Sequence, residues 1–418
     1  MCFVYQNVMG NIMKKLIDRL IEESIEACLP DNAVKKGLCN LPMNKGKRIL
    51  IAIGKAAYQM AKNALSSGIK FDSAVVITKY GYLKSKLKGA VCFEASHPIS
   101  DDNTIKASQY AYDLVKDLTK DDLVVMLISG GGSSLFEIPL VSFIEIQDIN
   151  NQLLSKGASI VEINTIRKRL SKVKGGKFAK LCAPATVYSI LLSDVVGNRP
   201  DMIASGPTYI DKSTSDEALN IVKKYNLNIS KKAYELLKEE NVKELSNSII
   251  NISGSVDELC KAAQNILESE GYNVEVLTTC VTSEAREVGF LMGSIAQYKS
   301  ITKEKKAYIL GGETVVHLKG KGKGGRNQEL AFSSAKAIEG LSNVTIVSYS
   351  SDGSDGPTDA AGAYVDGFTM KRLYKAGINF EEVLSENDSY DALNKIGQLI
   401  KTGPTGTNVN DISIILIN

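Results

Sequence analysis

One segment of the sequence combines residue types that suit the binding of an anion. Ser129–Ser134 reads SGGGSS and closes the apolar run that begins at Leu123. Three successive glycines let the backbone turn its N–H groups inward and the serines add hydroxyl donors, so the pattern predicts an anion-binding loop. A flexible turn between a strand and a helix is the alternative, but the position of the loop at the end of a strand favours the anion site. The Walker A pattern is absent.

Two charged residues follow other apolar runs in the same way. Lys55 comes after Gly54 at the first strand-to-helix turn, where it is a candidate to neutralise a phosphate, although a lysine that extends into solvent fits equally well. Asp194 opens a long loop, where a carboxylate suits Mg²⁺ or a substrate hydroxyl. A helix cap or an Asx-turn is the alternative for Asp194. The dinucleotide pattern G-x-G-x-x-G is missing, because only Gly54 is present where three glycines are needed.

The second half of the sequence holds another glycine-rich segment, which is also rich in lysine. Gly312 and Glu313 end an apolar run, and the segment 324–327 (GGRN) leads into a helical pattern that includes Glu329. This density of glycine and cations before a helix predicts contact with the phosphates of a nucleotide. A hairpin tip is the alternative, but it does not explain why Arg326 lies at the start of the helix.

Three aspartates lie between glycines after a further apolar run. Asp352, Asp355 and Asp359 could together ligate a divalent metal ion, although they lack the spacing and the glutamate of an EF-hand loop. Capping of an Asx-turn explains at least one of them without a metal.

Three other segments carry weaker signals. The run 167–177 contains six cations, which we interpret as a mostly solvated helix face with one or two side chains that reach a carboxylate or phosphate. The segment Thr402–Ile414, with Thr407 and Asn408, suits either hydrogen bonds to a polar ligand or a tight turn. His97 precedes a proline and is a candidate to line the site.

The apolar runs that position these residues are short and continuous rather than alternating. Such runs suit strands that are buried on both faces of a parallel sheet. Helical patterns separate them in the first half, and this order predicts a doubly wound, Rossmann-like α/β domain whose ligands bind beyond the carboxyl ends of the strands. The runs of the first half are Arg48–Gly54, Ser73–Thr78, Leu123–Ser129 and Thr186–Ser193.

The rest of the chain predicts a second domain. Met13–Leu29 has the spacing of an amphipathic helix, and the fold is expected to begin near Met13. Asp211–Ser248 is polar and helical, with no strand in it, so we place the boundary after Ser248 and predict domains at 13–248 and 249–418. The strand candidates of the second set are Ile249–Ser255, Asn273–Thr279, Lys306–Gly312, Asn343–Gly353 and Asp411–Ile417.

Composition excludes several classes of protein. The 418 residues are 44% apolar and 23% charged, which is ordinary for a globular chain of two domains. A formal charge of +3 gives no indication of nucleic-acid or membrane-surface binding. Seven cysteines without a C-x-x-C pair predict reduced thiols in a cytoplasmic protein rather than a disulfide framework or a zinc site. No apolar run has the length of a membrane span, and the start lacks the pattern of a secretory signal.

Seven motifs in this order resemble the glycerate 2-kinase family with a C-terminal MOFRL domain, and the resemblance covers Met13–Asn418. It implies ATP-dependent phosphorylation of D-glycerate to 2-phosphoglycerate with Mg²⁺ or a similar divalent ion. It also implies a Rossmann-like N-terminal domain, a smaller mixed α/β C-terminal domain and an active site in the cleft between them. The motifs are GKAA, SGGGSSL, SDVVG with IASGPT, KVKGGKFA, GGET with GKGGRNQE, SSDGSDGPTDAAGA and TGPTGTNVND.

The resemblance also assigns roles to residues. The family's catalytic lysine and arginine match Lys55 and Arg326, which are expected to meet at the transferred phosphoryl group. Asn198 stands where an acidic residue is expected after SDVVG, so metal coordination is expected to rest on Asp194, Asp352 and Asp355. The predicted substrate-binding residues are Ser129, Gly130, Gly131, Gly132, Ser133, Ser134 and Asp194. The predicted nucleotide-binding residues are Gly312, Glu313, Gly324, Gly325, Asn327, Glu329, Thr407 and Asn408.

Two other functions stay open on the sequence. A nicotinamide-dependent hydroxypyruvate reductase would act on a substrate of similar size, but the missing G-x-G-x-x-G pattern and the lack of a His–acid pair count against it. A non-catalytic sugar-phosphate sensor would bind its ligand tightly and turn it over slowly or not at all. The expected partners are small molecules only, and the oligomeric state is open between monomer and homodimer.

Overall fold

The computed structural model describes residues 2–301 and 304–418, with side chains from residue 12 onward. These residues form two compact units. The N-terminal unit is Pro30–Ser253, and the C-terminal unit combines the chain up to Leu29 with Gly254–Asn418. Each unit is built around its own six-stranded sheet.

Helix α1 (Cys2–Ala27) groups with the C-terminal unit, although the sequence analysis placed the opening helix in the N-terminal domain. Its apolar residues Ile17 and Leu20 are buried, and the helix packs on the helix Val256–Ser269. The hydroxyls of Ser24 and Tyr349 lie 2.7 Å apart. The periodicity of the sequence predicts an apolar stripe, but it carries no information on which sheet the stripe covers.

The N-terminal unit is a doubly wound α/β sheet, as predicted. The strand order is β3-β2-β1-β4-β5-β6, and the four pairs from β3 to β5 are parallel. Its strands are β1 (Arg48–Ile53), β2 (Ser73–Lys79), β3 (Val91–Ala95), β4 (Leu123–Ile128), β5 (Thr186–Leu192) and β6 (Ser248–Gly254). Its helices are α2 (Pro30–Leu38), α3 (Ala57–Ser66), α4 (Asp102–Val115), α5 (Gly132–Leu135), α6 (Phe143–Ser155), α7 (Ile160–Arg169), α8 (Lys177–Cys182), α9 (Ser215–Lys224) and α10 (Lys231–Lys238).

The continuous apolar runs form the buried centre of this sheet. Every residue of β4 is buried, and so are five of the six in β1. Helices cover both faces of such a strand, so it has no polar side. The segment predicted to be helical and without a strand holds α9 and α10, whose apolar residues pack with those of α6 and α7 in a separate cluster.

The C-terminal unit is a mixed α/β layer, also as predicted. The strand order is β11-β10-β9-β12-β8-β7, in which β7 and β8 are parallel and the other pairs are antiparallel. Its strands are β7 (Asn273–Val281), β8 (Lys306–Gly312), β9 (Val344–Ser350), β10 (Gly362–Asp366), β11 (Leu399–Ile400) and β12 (Asp411–Ile417). Its other helices are α11 (Val256–Ser269), α12 (Ala285–Lys299), α13 (Arg326–Ser334), α14 (Thr369–Lys375), α15 (Phe380–Glu386) and α16 (Ser389–Lys395).

One predicted strand belongs to the other sheet. The run Ile249–Ser255 was expected to open the second set of strands, but the structure has β6 there, paired with β5 at the edge of the N-terminal sheet. The compact units accordingly divide at the end of β6, after Ser253, and the predicted boundary at Ser248 lies at its start. No glycine- or proline-rich linker marks this point, because the chain passes directly from β6 into α11.

No helix in the described ranges 2–301 and 304–418 has the length and apolar character needed to cross a membrane.

Candidate substrate and nucleotide sites

The predicted anion loop, Ser129–Ser134, is fastened to the turn after β1, and we call it the glycine loop. The N–H of Ser129 donates to the Ile53 carbonyl at 3.0 Å, and the N–H of Lys55 donates to the Gly130 carbonyl at 2.9 Å. Strands β1 and β4 are parallel neighbours, so their carboxyl ends lie side by side at this point. These backbone bonds hold Lys55 beside the loop.

Close approach to the glycine loop brings two other predicted residues together with Lys55. Gly131 has a φ of +83°, and a Cβ atom on it would lie 3.0 Å from His97 Nε2 and 3.2 Å from Lys55 Cγ. A Cβ atom on Gly130 would lie 2.2 Å from Asp194 Oδ2. The positive φ of Gly131 favours glycine, and a side chain on Gly130 would displace the Asp194 carboxylate. The structure therefore gathers Lys55, His97 and Asp194 around the loop.

The loop presents backbone donors that the protein leaves unused. The N–H groups of Gly132 and Ser134 donate to carbonyls within the loop, each at 3.3 Å. In the described part of the chain, by contrast, no group accepts from the N–H of Gly130, Gly131 or Ser133. These three residues are only partly buried. Unpaired backbone donors at a partly covered position are what an anionic ligand would satisfy.

The serine hydroxyls of the loop differ in their availability. Those of Ser129 and Ser134 are almost fully buried and bind backbone groups of the protein. Ser133 is partly exposed, and its hydroxyl lies 3.0 Å from that of Ser205, which donates to Asn164 Oδ1 at 2.8 Å. Sequence reasoning assigned no role to Ser205 or Asn164. The only sequence signal at Ser205 was its place in the IASGPT motif.

The segment that contains Ser205 has an unusual backbone. Ala204, Ser205 and Gly206 all have positive φ angles, of +51°, +60° and +62°. Non-glycine residues adopt positive φ angles only at an energetic cost, and strained backbone of this kind occurs most often at functional sites. The carbonyls of Ser205 and Gly206 accept from the N–H groups of Gly175 and Gly176 at 3.1 and 2.7 Å. The KVKGGK and IASGPT motifs are therefore bonded to each other beside the glycine loop.

Electrostatics at this cluster favours neutral forms of its acid and its imidazole. Burial raises the pKa of Asp194, and the positive charge of Lys55 opposes that rise only in part. Burial, then the charges of Lys55 and Lys79, lower the pKa of His97. The cation of Lys55 thus lies beside the carboxyl group of Asp194, whose affinity for a proton is increased. This arrangement suits acid–base catalysis at a hydroxyl group.

The basic run 167–177 is not a solvated helix face, and that interpretation was wrong. Lys168, Arg169 and Lys174 are buried. Lys168 and Arg169 form ion pairs with Asp211 at 3.4 and 3.5 Å, and Lys174 forms one with Glu137 at 3.4 Å. Their partners lie far away in the sequence, so a local pattern cannot reveal the pairing. Only Lys172 of the run is exposed.

In the C-terminal unit, Arg326 is held by two carboxylates. It is the first residue of α13, and its Nε and one terminal nitrogen bind both oxygens of Asp411, the second bond measuring 3.0 Å. Its other terminal nitrogen lies 3.1 Å from Glu313. The pKa of Arg326 is raised, because the bond and the charge of Asp411 outweigh the effect of burial. Sequence analysis assigned no role to Asp411, which begins β12.

Asp355 caps helix α13 rather than facing solvent. Its Oδ1 accepts from the N–H of Asn327 at 3.1 Å, and its Oδ2 accepts from the N–H of Gln328 at 2.9 Å. The Gln328 side chain adds a bond of 3.0 Å to Oδ2. Burial raises the pKa of Asp355 to about 6. Both oxygens are therefore engaged at the helix that begins with Arg326.

The other two aspartates of this loop have different partners. Asp352 Oδ1 accepts from the N–H of Ser354 at 2.8 Å, which is an Asx-turn, as the alternative interpretation allowed. Asp359 accepts from the Tyr390 hydroxyl at 2.6 Å and from Lys401 at 3.0 Å. The three carboxylates do not converge. Among the described residues, no three His, Cys, Asp or Glu side chains lie close enough to hold a metal ion.

The lysine-rich segment Lys319–Gly325, which ends in the two glycines predicted to contact a nucleotide, is hydrogen-bonded to the residues that follow α15, and we call it the lysine loop. The N–H groups of Lys319 and Gly320 donate to Asn387 Oδ1 at 2.8 and 3.1 Å. The N–H of Lys323 donates to Asp388 Oδ1 at 2.9 Å. These donors are occupied by the protein, so the lysine side chains rather than these amides are available to a ligand.

The remaining predicted nucleotide residues are largely internal. Asn327 and Glu329 are buried, and Asn327 Oδ1 accepts from the Ser348 hydroxyl at 2.6 Å. The hydroxyl of Thr407 donates to the Cys28 carbonyl at 2.8 Å, whereas Asn408 is exposed. Gly312 lies next to Glu313, whose Oε2 accepts from Asn410 at 3.0 Å. Within the unit, the structure thus brings Glu313, Arg326 and Asp411 together.

Comparison with known proteins gives matches along nearly the whole chain. A domain of unknown function (DUF4147) matches residues 16–238, and the MOFRL family matches residues 306–411. The chain is 48% identical over 412 residues to a D-glycerate 2-kinase of Thermotoga maritima, which covers 97% of this chain and 98% of the relative. It is 37% identical over 417 residues to an Agrobacterium vitis protein that is provisionally named a hydroxypyruvate reductase. That match covers 97% of this chain and 94% of the relative. A crystal structure of glycerate kinase from Thermotoga maritima superposes with a TM-score of 0.91 at 48% identity over 98% of this chain and 100% of the other.

Proposed function

The chain belongs to the glycerate 2-kinase family, and from that premise we propose that it transfers the γ-phosphoryl group of ATP to the 2-hydroxyl of D-glycerate. One observation carries the proposal: the glycine loop offers unpaired backbone donors directly beside Lys55 and Asp194. Phosphoryl transfer needs a positioned acceptor and cations for the developing charge, and little other chemistry from the protein. The cluster supplies both.

The acceptor side of the reaction is assigned to the N-terminal unit. The carboxylate of D-glycerate would accept from the N–H groups of Gly131 and Ser133, and the Ser133 hydroxyl would bind a substrate hydroxyl. The 2-hydroxyl oxygen attacks the γ-phosphorus, the bond to ADP breaks, and the hydroxyl proton passes to Asp194. The raised pKa of Asp194 supports that assignment, because a carboxylate with a higher pKa is a better proton acceptor.

The nucleotide side is assigned to the C-terminal unit. Asp411 fixes the orientation of the Arg326 guanidinium by binding two of its nitrogens. The third guanidinium nitrogen of Arg326 forms an ion pair with Glu313, whose side chain is 44% exposed. We propose that a phosphate oxygen of ATP takes the place of Glu313 on this nitrogen. Arg326 would then neutralise negative charge on the phosphates of ATP.

A resident metal ion is not part of the proposal. Asp355 does not fit such a role, since both of its oxygens accept from α13, and Asp352 closes its own turn. Asp194 can supply at most two oxygen ligands, which is fewer than Mg²⁺ requires if the protein alone is to hold it. Mg²⁺ is therefore proposed to arrive bound to the phosphates of ATP.

The test is to incubate the protein with ATP, Mg²⁺ and D-glycerate and to identify the product. Formation of 2-phosphoglycerate with one ADP per product is expected. Formation of 3-phosphoglycerate instead, or release of ADP that does not depend on D-glycerate, would contradict the assignment. L-Glycerate under the same conditions is the control for stereochemistry.

A reductase is the second candidate, and the name of the Agrobacterium vitis relative is what favours it. Oxidation of NADH in the presence of hydroxypyruvate would support it. The turn after β1 has Gly54, Lys55 and Ala56 where a dinucleotide-binding turn would have its glycine pattern, so we expect no NADH oxidation.

We further propose a cytoplasmic location, which the free thiols of the described cysteines support.

A further inference from the structure

A completely buried lysine lies behind the glycine loop. Lys174 follows α7, and its side chain has no exposed surface. Its Nζ donates to the carbonyls of Ser133 and Phe136, each at 2.7 Å. An ammonium group loses its hydration in such a place, so its presence needs a compensating reason.

A second cation binds the same peptide group. Arg167, in the last turn of α7, donates from a terminal nitrogen to the Ser133 carbonyl at 2.9 Å. The two cationic donors of Lys174 and Arg167 therefore share one carbonyl of the loop whose N–H groups are unpaired. A neutral asparagine or glutamine could fasten a carbonyl equally well. The use of two charges at one oxygen indicates a role for charge itself.

The charges of this cluster do not balance. Glu137 is the carboxylate that acts on both cations, and its Oε2 lies 3.4 Å from Lys174 Nζ. Two cations and one carboxylate leave one positive charge. Arg167 Nε is buried and has no hydrogen-bond partner among the described groups. Charge in a region of low dielectric acts over a longer distance than charge in water, so it reaches the front of the loop.

We propose that Arg167 and Lys174 are positioning residues that hold a net positive charge behind the glycine loop and thereby select an anionic acceptor, the carboxylate of D-glycerate. The inference deepens the proposed function and rests on it for the identity of the anion. The bound carboxylate neutralises the remaining charge of the cluster. An uncharged analogue of the same shape, such as glycerol, gains nothing from it.

The protonation of Lys174 gives this arrangement a pH dependence. Burial, opposed by Glu137 and reinforced by the charge of Arg167, lowers the pKa of Lys174 to about 8. These two are the charged groups that face Lys174. Above that pH the ammonium loses its proton, the net charge of the cluster falls to zero, and the KM for D-glycerate should rise. The carboxylate of D-glycerate stays ionised throughout this range.

The deciding experiment compares Arg167→Lys with Arg167→Gln. Both variants can donate to the Ser133 carbonyl, but only lysine keeps the charge. We expect Arg167→Gln to raise the KM for D-glycerate about tenfold and Arg167→Lys to stay within about threefold, with the KM for ATP and kcat little changed. Lys172→Gln, which removes a charge from the exposed lysine of the same segment, is the matched control and should behave as the wild type. Equal effects of Arg167→Gln and Arg167→Lys would overturn the proposal.

Two further measurements keep the test decisive if a variant fails to fold. In the wild-type protein, the KM for D-glycerate should rise between pH 7.5 and about 9, and a flat profile would overturn the proposal. Calorimetric titration of D-glycerate without ATP separates this inference from the proposed function. Charge-dependent binding without phosphorylation would refute only the kinase activity, whereas absence of D-glycerate binding would refute both.

Discussion

The side chain of Asn387 donates to Glu329 Oε2 at 2.9 Å, and this bond links helix α13 to the lysine loop. Asn387 has a φ of +55°, and its Oδ1 accepts the N–H groups of Lys319 and Gly320. Glu329 Oε1 in turn lies 3.2 Å from Arg286. The sequence analysis assigned the buried Glu329 to nucleotide binding. In the structure, Glu329 holds the side chain of Asn387, which in turn holds the lysine loop.

Asn387→Gly should weaken the binding of ATP without affecting D-glycerate. Glycine adopts a φ of +55° without strain, so the substitution removes the side-chain bonds and keeps the turn. The lysine loop then loses the acceptor of two N–H groups, and we expect the KM for ATP to rise about tenfold. Steady-state kinetics with each substrate varied in turn measures the effect.

The matched control is Asn226→Gly in the N-terminal unit. Asn226 is exposed and has a φ of +42°, so it undergoes the same chemical change at a similar backbone position. Its kinetic constants should match those of the wild type. An unchanged KM for ATP in Asn387→Gly would mean that the position of the lysine loop does not matter to the nucleotide.

Lys55→Met should lower kcat severely and leave the fold intact. In the described part of the chain, the Nζ of Lys55 forms no hydrogen bond or ion pair, so its removal costs the fold little. The cation lies beside the unpaired donors of the glycine loop, and loss of one preorganised group of this kind typically lowers kcat about 100- to 1,000-fold. Lys62→Met, on the exposed face of the following helix, is the control. A kcat within a few-fold of the wild type would remove Lys55 from the mechanism.

Arg326→Lys should lower kcat although it keeps the positive charge. Lysine lacks the planar fork that matches the two oxygens of Asp411 and points a third nitrogen at another acceptor, so the orientation of the cation is lost. We expect a decrease in kcat of about 100-fold. The control is Arg372→Lys, because Arg372 also binds both oxygens of an aspartate, Asp366, but near the surface. Wild-type turnover in Arg326→Lys would show that charge alone suffices.

The parts of the fold and site that follow from the sequence are those with a local signature. The buried strands β1 and β4 are continuous apolar runs, and the glycine loop sits at the end of one of them, so Lys55, Gly131 and Asp194 could be expected near each other. Ser205 and Asp411 were assigned no role, and Lys174 was interpreted as part of a mostly solvated face, because each owes its position to a partner distant in the sequence. The same limit applies to β6, which has the pattern of any strand and pairs with β5 for reasons of tertiary packing.

Asp194→Asn should abolish most of the activity and yet stabilise the protein at neutral pH. Burial raises the pKa of Asp194 in the folded state above its usual value, so the folded protein binds the proton more tightly than the unfolded chain. The stability that this group provides is fully present below its unfolded pKa and decreases as the pH rises through its folded pKa. Asparagine carries no charge, so the stability of the variant does not decrease in this way as the pH rises.

The measurement for Asp194→Asn is the difference in Tm between the variant and the wild type from pH 4 to pH 8. The difference should favour the variant increasingly as the pH rises, while kcat falls about 100-fold because the proton acceptor is lost. Asp201→Asn is the control, since Asp201 also lies in the loop after β5 but is held by Lys168 and Arg199. A loss of stability in Asp194→Asn at pH 8 would mean that the attraction of Lys55 outweighs the cost of burial, and Asp194 would then be ionised at neutral pH as a structural ion-pair partner.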